Sequence, residues 1–367
     1  MTITAPAPPR SPLRHAAPAL LSHLAVHLLG LAVLTPWAHL RGRGVRTLLA
    51  ASWDSIWYAR VVERGYDVLN GYAFFPLHPL LVRGAGRVLP GTTETTGLLL
   101  AVTASFAAAW GVFAVGDHLH GRRVGTLLAA LWSAYPVGLV QWMGYTESLF
   151  TALAAWCLYA VLTGRWIAAA SLACLAGLTR PTGIAVAAAV VVAAVCSGRR
   201  RAFVAGLLAP MGWVGYVGWV GVRTGRWDGY FAVQRRWNNT WDGGAQTLRA
   251  MRGLLAHEVR PPLFLVVVTG VMLAAVVLFV WCAAVERLPL PLLVYSGVLV
   301  LIVLGTDGVY FPRARFLLPA FPLLLPIALA LSRARARIPA TVLVVGGAAL
   351  FSAYFGAYMA LVWTSAP

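Results

Sequence analysis

Long apolar runs separated by short arginine-bearing stretches make up most of this chain. The runs lie at about 19–38, 97–116, 124–141, 146–163, 166–179, 182–196, 202–222, 263–285, 289–305, 316–331 and 339–363. Several reach the roughly 20 residues that span a bilayer as a helix. They predict about eleven membrane helices in one domain, 19–363, behind a disordered tail, 1–18, rich in Pro and Ala. Continuous rather than alternating hydrophobicity excludes a closed β-barrel. The first run ends in Pro36-Trp37-Ala38-His39 without a small-x-small cleavage site, so it is expected to stay as a helix.

Two long stretches interrupt the apolar pattern. Loop one, about 39–96, contains an aromatic segment at 51–65 that reads as a helix lying in the membrane interface. Pro76, Pro79 and Pro90 then bound a second short apolar helix. Loop two, about 223–261, carries Trp227-Asp228, Gln234, Trp237, Trp241-Asp242 and Glu258.

Composition fits the pattern: 60% of residues are hydrophobic, 11% are charged, and the mean hydropathy is +0.77. All 29 basic residues are arginine, which excludes a Walker-type, Schiff-base or pyridoxal-phosphate lysine. In a membrane protein the net charge of +18 is explained by topology signals and anionic lipid rather than by nucleic acid. The four cysteines, Cys157, Cys174, Cys196 and Cys282, fall inside apolar spans and match neither a zinc site nor a disulfide framework.

Arginine placement predicts the orientation. With the N-terminus inside, ten short-loop arginines fall on the cytoplasmic side: Arg122, Arg123, Arg165, Arg199, Arg200, Arg201, Arg287, Arg333, Arg335 and Arg337. Only Arg180, Arg313 and Arg315 fall outside. Both long loops and nine of the eleven acids then face the exterior. The chemistry is expected there, in a multi-pass protein of the cell membrane.

Asp54 is the only acid in the first 62 residues and lies just beyond the first span. A carboxylate in that place can act as a base at the lipid–water boundary. Arg180, Arg313 and Arg315 stand on the side where arginine is disfavoured, and guanidinium groups bind phosphate in bidentate fashion. Their structural alternative is snorkelling to headgroups. His78 can hydrogen-bond a phosphate or sugar, or pack loop one. Glu147, beside Tyr145, stands at the mouth of a helix, where an unpaired charge is costly. His23 and His27 share a helix face without a third ligand, so no metal site is expected.

The order of motifs resembles PIG-V-type mannosyltransferases, in a bacterial branch. Trp53-Asp54-Ser55-Ile56-Trp57-Tyr58, Gly65-Tyr66 and Ala73-Phe74-Phe75-Pro76-Leu77-His78-Pro79-Leu80 are similar to that family's first luminal loop. Gly144-Tyr145-Thr146-Glu147-Ser148-Leu149-Phe150, Leu178-Thr179-Arg180-Pro181-Thr182-Gly183 and Arg315-Phe316-Leu317-Leu318-Pro319 follow in the family's order. Trp57 stands where eukaryotic members tend to have His. The resemblance implies a GT-C glycosyltransferase with its active site at the outer leaflet. Its donor would be a polyprenyl-phosphate-linked sugar, with mannose expected, and its acceptor a glycolipid, glycan or protein.

On that reading Asp54 is the catalytic base and transfer proceeds with inversion. Arg180, Arg315, Arg313 and His78 bind the donor phosphate. Tyr145, Glu147, Trp53, Tyr66, Gln234 and Trp237 meet the sugar or acceptor. No metal and no cofactor beyond the lipid-linked substrate is expected. Another lipid-linked sugar fits the same residues. A transporter or lipid flippase is the alternative from a different class, although no inverted repeat supports it.

Overall fold

The computed structural model describes residues 11–333 and 338–366. Residues 1–10, Arg335 and Arg337 therefore lie outside the description. The described residues are helical, and their only extended pairing is an isolated antiparallel bridge between Trp241 and Thr306.

The first helix, α1 (Pro12–Leu40), begins within the stretch expected to be a disordered tail. Ser11 accepts a hydrogen bond from the Arg14 amide and Pro12 opens the first turn, which together start the helix seven residues early. Three helices then cover loop one: α2 (Val45–Ala50), α3 (Asp54–Arg64) and α4 (Leu77–Ala85). The long helix α5 (Thr93–His120) returns through the core.

Prolines divide several of the expected spans. The run 124–141 becomes α6 (Arg122–Ser133), then Pro136 and a tight turn at Gly138–Trp142. Next come α7 (Glu147–Leu162), α8 (Trp166–Gly177) and α9 (Gly183–Ser197). The run 202–222 is split before Pro210 into α10 (Arg200–Leu208) and α11 (Met211–Thr224). Gly212 lets α11 meet α8, since a Cβ there would collide with the Cys174 carbonyl oxygen. Gly215 and Gly218, on the same helix, face open space and need no such contact.

Loop two folds as α12 (Gly229–Arg236) and α13 (Ala245–Arg252). The chain ends with α14 (Leu263–Ala284), α15 (Leu290–Gly305), the short α16 (Arg313–Leu317), α17 (Leu325–Arg333) and α18 (Ile338–Leu361). Among the described residues five helical stretches are long and apolar enough to cross a membrane, and there are five shorter apolar helices. The four cysteines are free.

His23 and His27 face the bundle interior. His23 hydrogen-bonds Ser105 and Ser133, and His27 bonds Gln141 Oε1. Among the described residues no group of three or more His, Cys, Asp or Glu is placed to hold a metal ion.

The two ends of the bundle differ in chemistry. At one end Asp117 pairs with His15 and Glu286 with Arg333, close to Arg122. At the other end loops one and two meet. Tyr216 donates to the Tyr72 and Phe74 carbonyls, and Trp237 Nε1 to the Asn70 carbonyl.

Candidate active site

Four segments distant in sequence converge at the loop-bearing end. The Gly144 amide donates to the Leu49 carbonyl at 2.8 Å, bringing the residues before α7 beside those before α3. The Leu77 amide donates to the Leu178 carbonyl at 2.9 Å, joining loop one to the Arg180 segment. Trp132 Nε1 and the Tyr295 hydroxyl hold the Leu318 and Pro319 carbonyls, which fixes the chain just after Arg315.

Asp54 and Glu147 are the first residues of α3 and α7, where the helix dipole favours negative charge. Asp54 follows Trp53, whose φ of 49° is a left-handed conformation strained for a bulky residue. The Asp54 carboxylate beyond that turn faces the cluster.

A chain of charges results. Arg315 Nη2 lies 2.6 Å from Asp54 Oδ2, and its Nε lies 3.2 Å from Glu147 Oε1. Arg180 Nη1 lies 2.6 Å from the same Glu147 oxygen. Glu147 and Arg315 are buried, whereas the Asp54 side chain keeps 28% of its surface open. The Arg315 guanidinium stacks 4.9 Å above the Tyr145 ring, and Phe316 lies beneath both arginines at 5.1 and 5.3 Å. Arg315 Nη1 has no hydrogen-bond acceptor although it is buried. An unmet guanidinium donor beside an accessible carboxylate is a place for an anionic oxygen.

The expected site residues divide into those the fold brings together and those it sets elsewhere. Asp54, Arg180, Arg315, Glu147 and Tyr145 form one cluster. Glu147 and Tyr145 are buried against the arginines, so they orient guanidinium groups instead of lining a surface open to a sugar. Trp53 is half-buried and supports the turn before Asp54.

Arg313 is set apart from the cluster. Its guanidinium donates to the Thr247 hydroxyl and to the Thr306 and Gly308 carbonyls, pinning α13 to the chain after α15. Those bonds use the donors a phosphate would need. The neighbouring spacing, Arg-x-Arg, concealed that the two side chains leave the helix in different directions.

His78 is set apart as well. It is buried under the Tyr58 ring at 4.7 Å, and neither ring nitrogen has a partner. It borders a small cavity of about 10 Å³, shared with Ser55, Tyr58, Glu94 and Gly97, which has room for about one water. Burial pushes the imidazole pKa down to about 4, opposed by the more distant Glu147 charge. The imidazole is therefore neutral at neutral pH, packed within loop one.

Tyr66 stacks on Tyr72 and donates to the Phe74 carbonyl. Gln234 bridges the Tyr230 hydroxyl and the Asn239 amide. Trp237 packs edge-on against Trp57 and Phe74. These three build the junction of the two loops. Of the other loop-two tryptophans, Trp227 is almost fully exposed, and Trp241 is exposed at its rim while packing on Gly305.

Two participants carried no assigned role in the sequence. Tyr58 lies one helical turn after Asp54, on the same face of α3, and its hydroxyl meets Thr146 Oγ1 at 3.1 Å. Thr146 also accepts from Arg180 Nη1 at 3.2 Å. Burial raises the Tyr58 pKa, so this hydroxyl stays neutral. The second is Phe316, the platform under both arginines.

The architecture is an all-helical bundle with several helices apolar and long enough to cross a membrane. No known protein family's profile matches the chain, and no curated protein matches it in sequence. Among solved structures the fold is similar to ArnT from Cupriavidus metallidurans. The crystal structure bound to undecaprenyl phosphate aligns with TM-score 0.54 and 15% identity, over 85% of this chain and 60% of ArnT. The apo form gives 0.55 and 14%, over 85% and 59%. The chain thus spans about three fifths of ArnT's length, and at this identity the likeness is one of fold.

Proposed function

We propose that this chain is an integral-membrane glycosyltransferase. It moves a sugar, mannose on the motif resemblance, from a polyprenyl phosphate to an acceptor hydroxyl with inversion. The observation that carries the proposal is the Asp54–Arg315 pair: an accessible carboxylate touching a buried guanidinium with an unmet donor. The fold shared with ArnT, which binds undecaprenyl phosphate, supports a polyprenyl-phosphate partner. The positive-inside count supports placing this end at the outer face of the membrane.

In the proposed reaction Arg315, with Arg180 behind it, receives the donor phosphate. Asp54 takes the proton as the acceptor oxygen attacks C1 of the sugar, a contribution of about 10²–10⁴-fold. The C1–O bond to phosphate breaks, and the lipid phosphate leaves as a stable anion. No second carboxylic acid is then required, unlike in glycoside hydrolysis. Arg315 and Arg180 supply the positive charge for that leaving group, so the scheme needs no metal and no separate cofactor.

The test is to supply the purified protein with radiolabelled polyprenyl-phosphate-mannose and fractionated membranes and follow the label. Transfer into a glycolipid, glycan or protein is expected, and none with Asp54→Asn. Failure with mannose but success with another polyprenyl-phosphate sugar would correct the sugar alone. No transfer from any such donor would remove the proposal and leave a transporter.

A further inference from the structure

The bundle carries a second charged feature at the end opposite Asp54. There α1, α5 and α6 border an open groove of about 590 Å³, lined in part by Pro18, His120, Arg122, Arg123, Thr126 and Leu127. Among the described residues no carboxylate lines it. Asp117, one turn earlier on α5, is engaged by His15 at 2.9 Å. Arg122 is fixed in the wall of the groove, its Nε and Nη2 donating to the His15 and Arg14 carbonyls at 3.0 and 3.3 Å. Arg123 forms no ion pair among the described residues, so its charge is available to the groove.

What continues from the groove decides its ligand. Pro18, Leu21, Ala25 and Leu28 are exposed along one face of α1, at the three- and four-residue spacing of a helical stripe. The stripe starts at the groove wall and climbs about 15 Å of a membrane-spanning helix. A soluble anion would use the cations and leave this apolar track empty. A phospholipid uses both, its phosphate among the guanidinium groups and an acyl chain along the helix.

We propose that this groove is a binding site for the phosphate headgroup of an anionic membrane phospholipid, with one acyl chain lying on the Pro18–Leu28 face of α1. The site is independent of the cluster around Asp54. Basic pockets between membrane helices suit such headgroups, and each well-placed arginine is worth about fivefold in affinity.

The experiment is native mass spectrometry of the delipidated full chain, titrated with phosphatidylglycerol and with phosphatidylcholine of matched chains. Phosphatidylglycerol should bind at least about tenfold more tightly. Arg123→Gln should reduce that preference about fivefold, and Arg165→Gln, an exposed arginine outside the groove, should not. Leu21→Ser tests the track separately: it should weaken both lipids while keeping the headgroup preference. Equal binding of the two lipids, or equal effects of the two arginine variants, would overturn the proposal. Displacement of phosphatidylglycerol by an equal concentration of inorganic phosphate would reassign the groove to a free anion and overturn the lipid site. Displacement by a peptide of residues 1–10 with no lipid preference would overturn it as well.

Discussion

Arg315 Nη2 lies 2.6 Å from Asp54 Oδ2, so the residue assigned to the phosphate holds the residue assigned to the proton. A carboxylate oxygen occupied by a guanidinium is poorly placed to accept a hydroxyl proton. An arriving donor phosphate competes for the same Nη2 and offers a second oxygen to the unpartnered Nη1. Donor binding would therefore release Asp54 as it fills the site, and acceptor attack would follow donor binding in order.

Asp54→Asn is expected to lower transfer by at least about 10²-fold. Binding of undecaprenyl phosphate should survive, because Arg315 loses a competitor and no ligand contact. Initial-rate kinetics with undecaprenyl phosphate as inhibitor should show competition with donor and not with acceptor. Near-normal turnover of the Asn variant would remove Asp54 as the base.

Arg315→Lys tests the shape of the interaction rather than its charge. A lysine ammonium cannot reproduce the planar fork that meets Asp54, Glu147 and a phosphate together. The variant is expected to lose transfer nearly as fully as Arg315→Ala, with donor KM rising in any residual activity. Rescue by lysine would show that a point charge is enough.

Glu147 serves both arginines from a buried position, so removing its charge strands Arg180 and leaves Arg315 with Asp54 alone. Breaking a buried pair in this way costs about 3–5 kcal/mol. Glu147→Gln should lower the melting temperature in detergent, and Glu147→Gln with Arg180→Gln should recover part of the loss. If the single variant melts like the wild type, the cluster is not the buried network described.

Much of this site was legible because charge is so scarce in the chain. Asp54, Glu147, Arg180 and Arg315 stand out against apolar surroundings, and a buried charge must find a partner. Which charges would pair was not legible, because pairing depends on where helices begin. Arg313 and Arg315 are two residues apart, yet on α16 they diverge, one toward α13 and the other toward α3. His78 looked like a ligand because sequence shows its chemistry and hides its burial. The span boundaries moved for a different reason: prolines at 136 and 210 divided runs that hydropathy alone joins.

Arg313 and Arg315 should accordingly fail in different ways. Arg313→Ala frees α13 and the chain around Thr306, and should reduce thermal stability while donor KM stays within about twofold. Arg315→Ala should raise donor KM or abolish transfer. Donor titrations of both variants decide the matter, and a large donor KM effect from Arg313→Ala would restore it to the phosphate site.

His78 gives the pH dependence. Its pKa is near 4 in the fold against 6.5 when exposed, because burial under Tyr58 disfavours the imidazolium. The unfolded chain therefore binds more protons between those values, and stability rises with pH across that window. The full contribution is present above about pH 6.5 and is lost progressively as pH falls toward 4, a difference of about 3 kcal/mol. Melting curves of wild type and His78→Phe from pH 7.5 to 4.5 measure it as the gap between the two profiles. The wild type should lose more stability than the variant below pH 6.5, and parallel profiles would mean that His78 reaches water or a partner when it is charged.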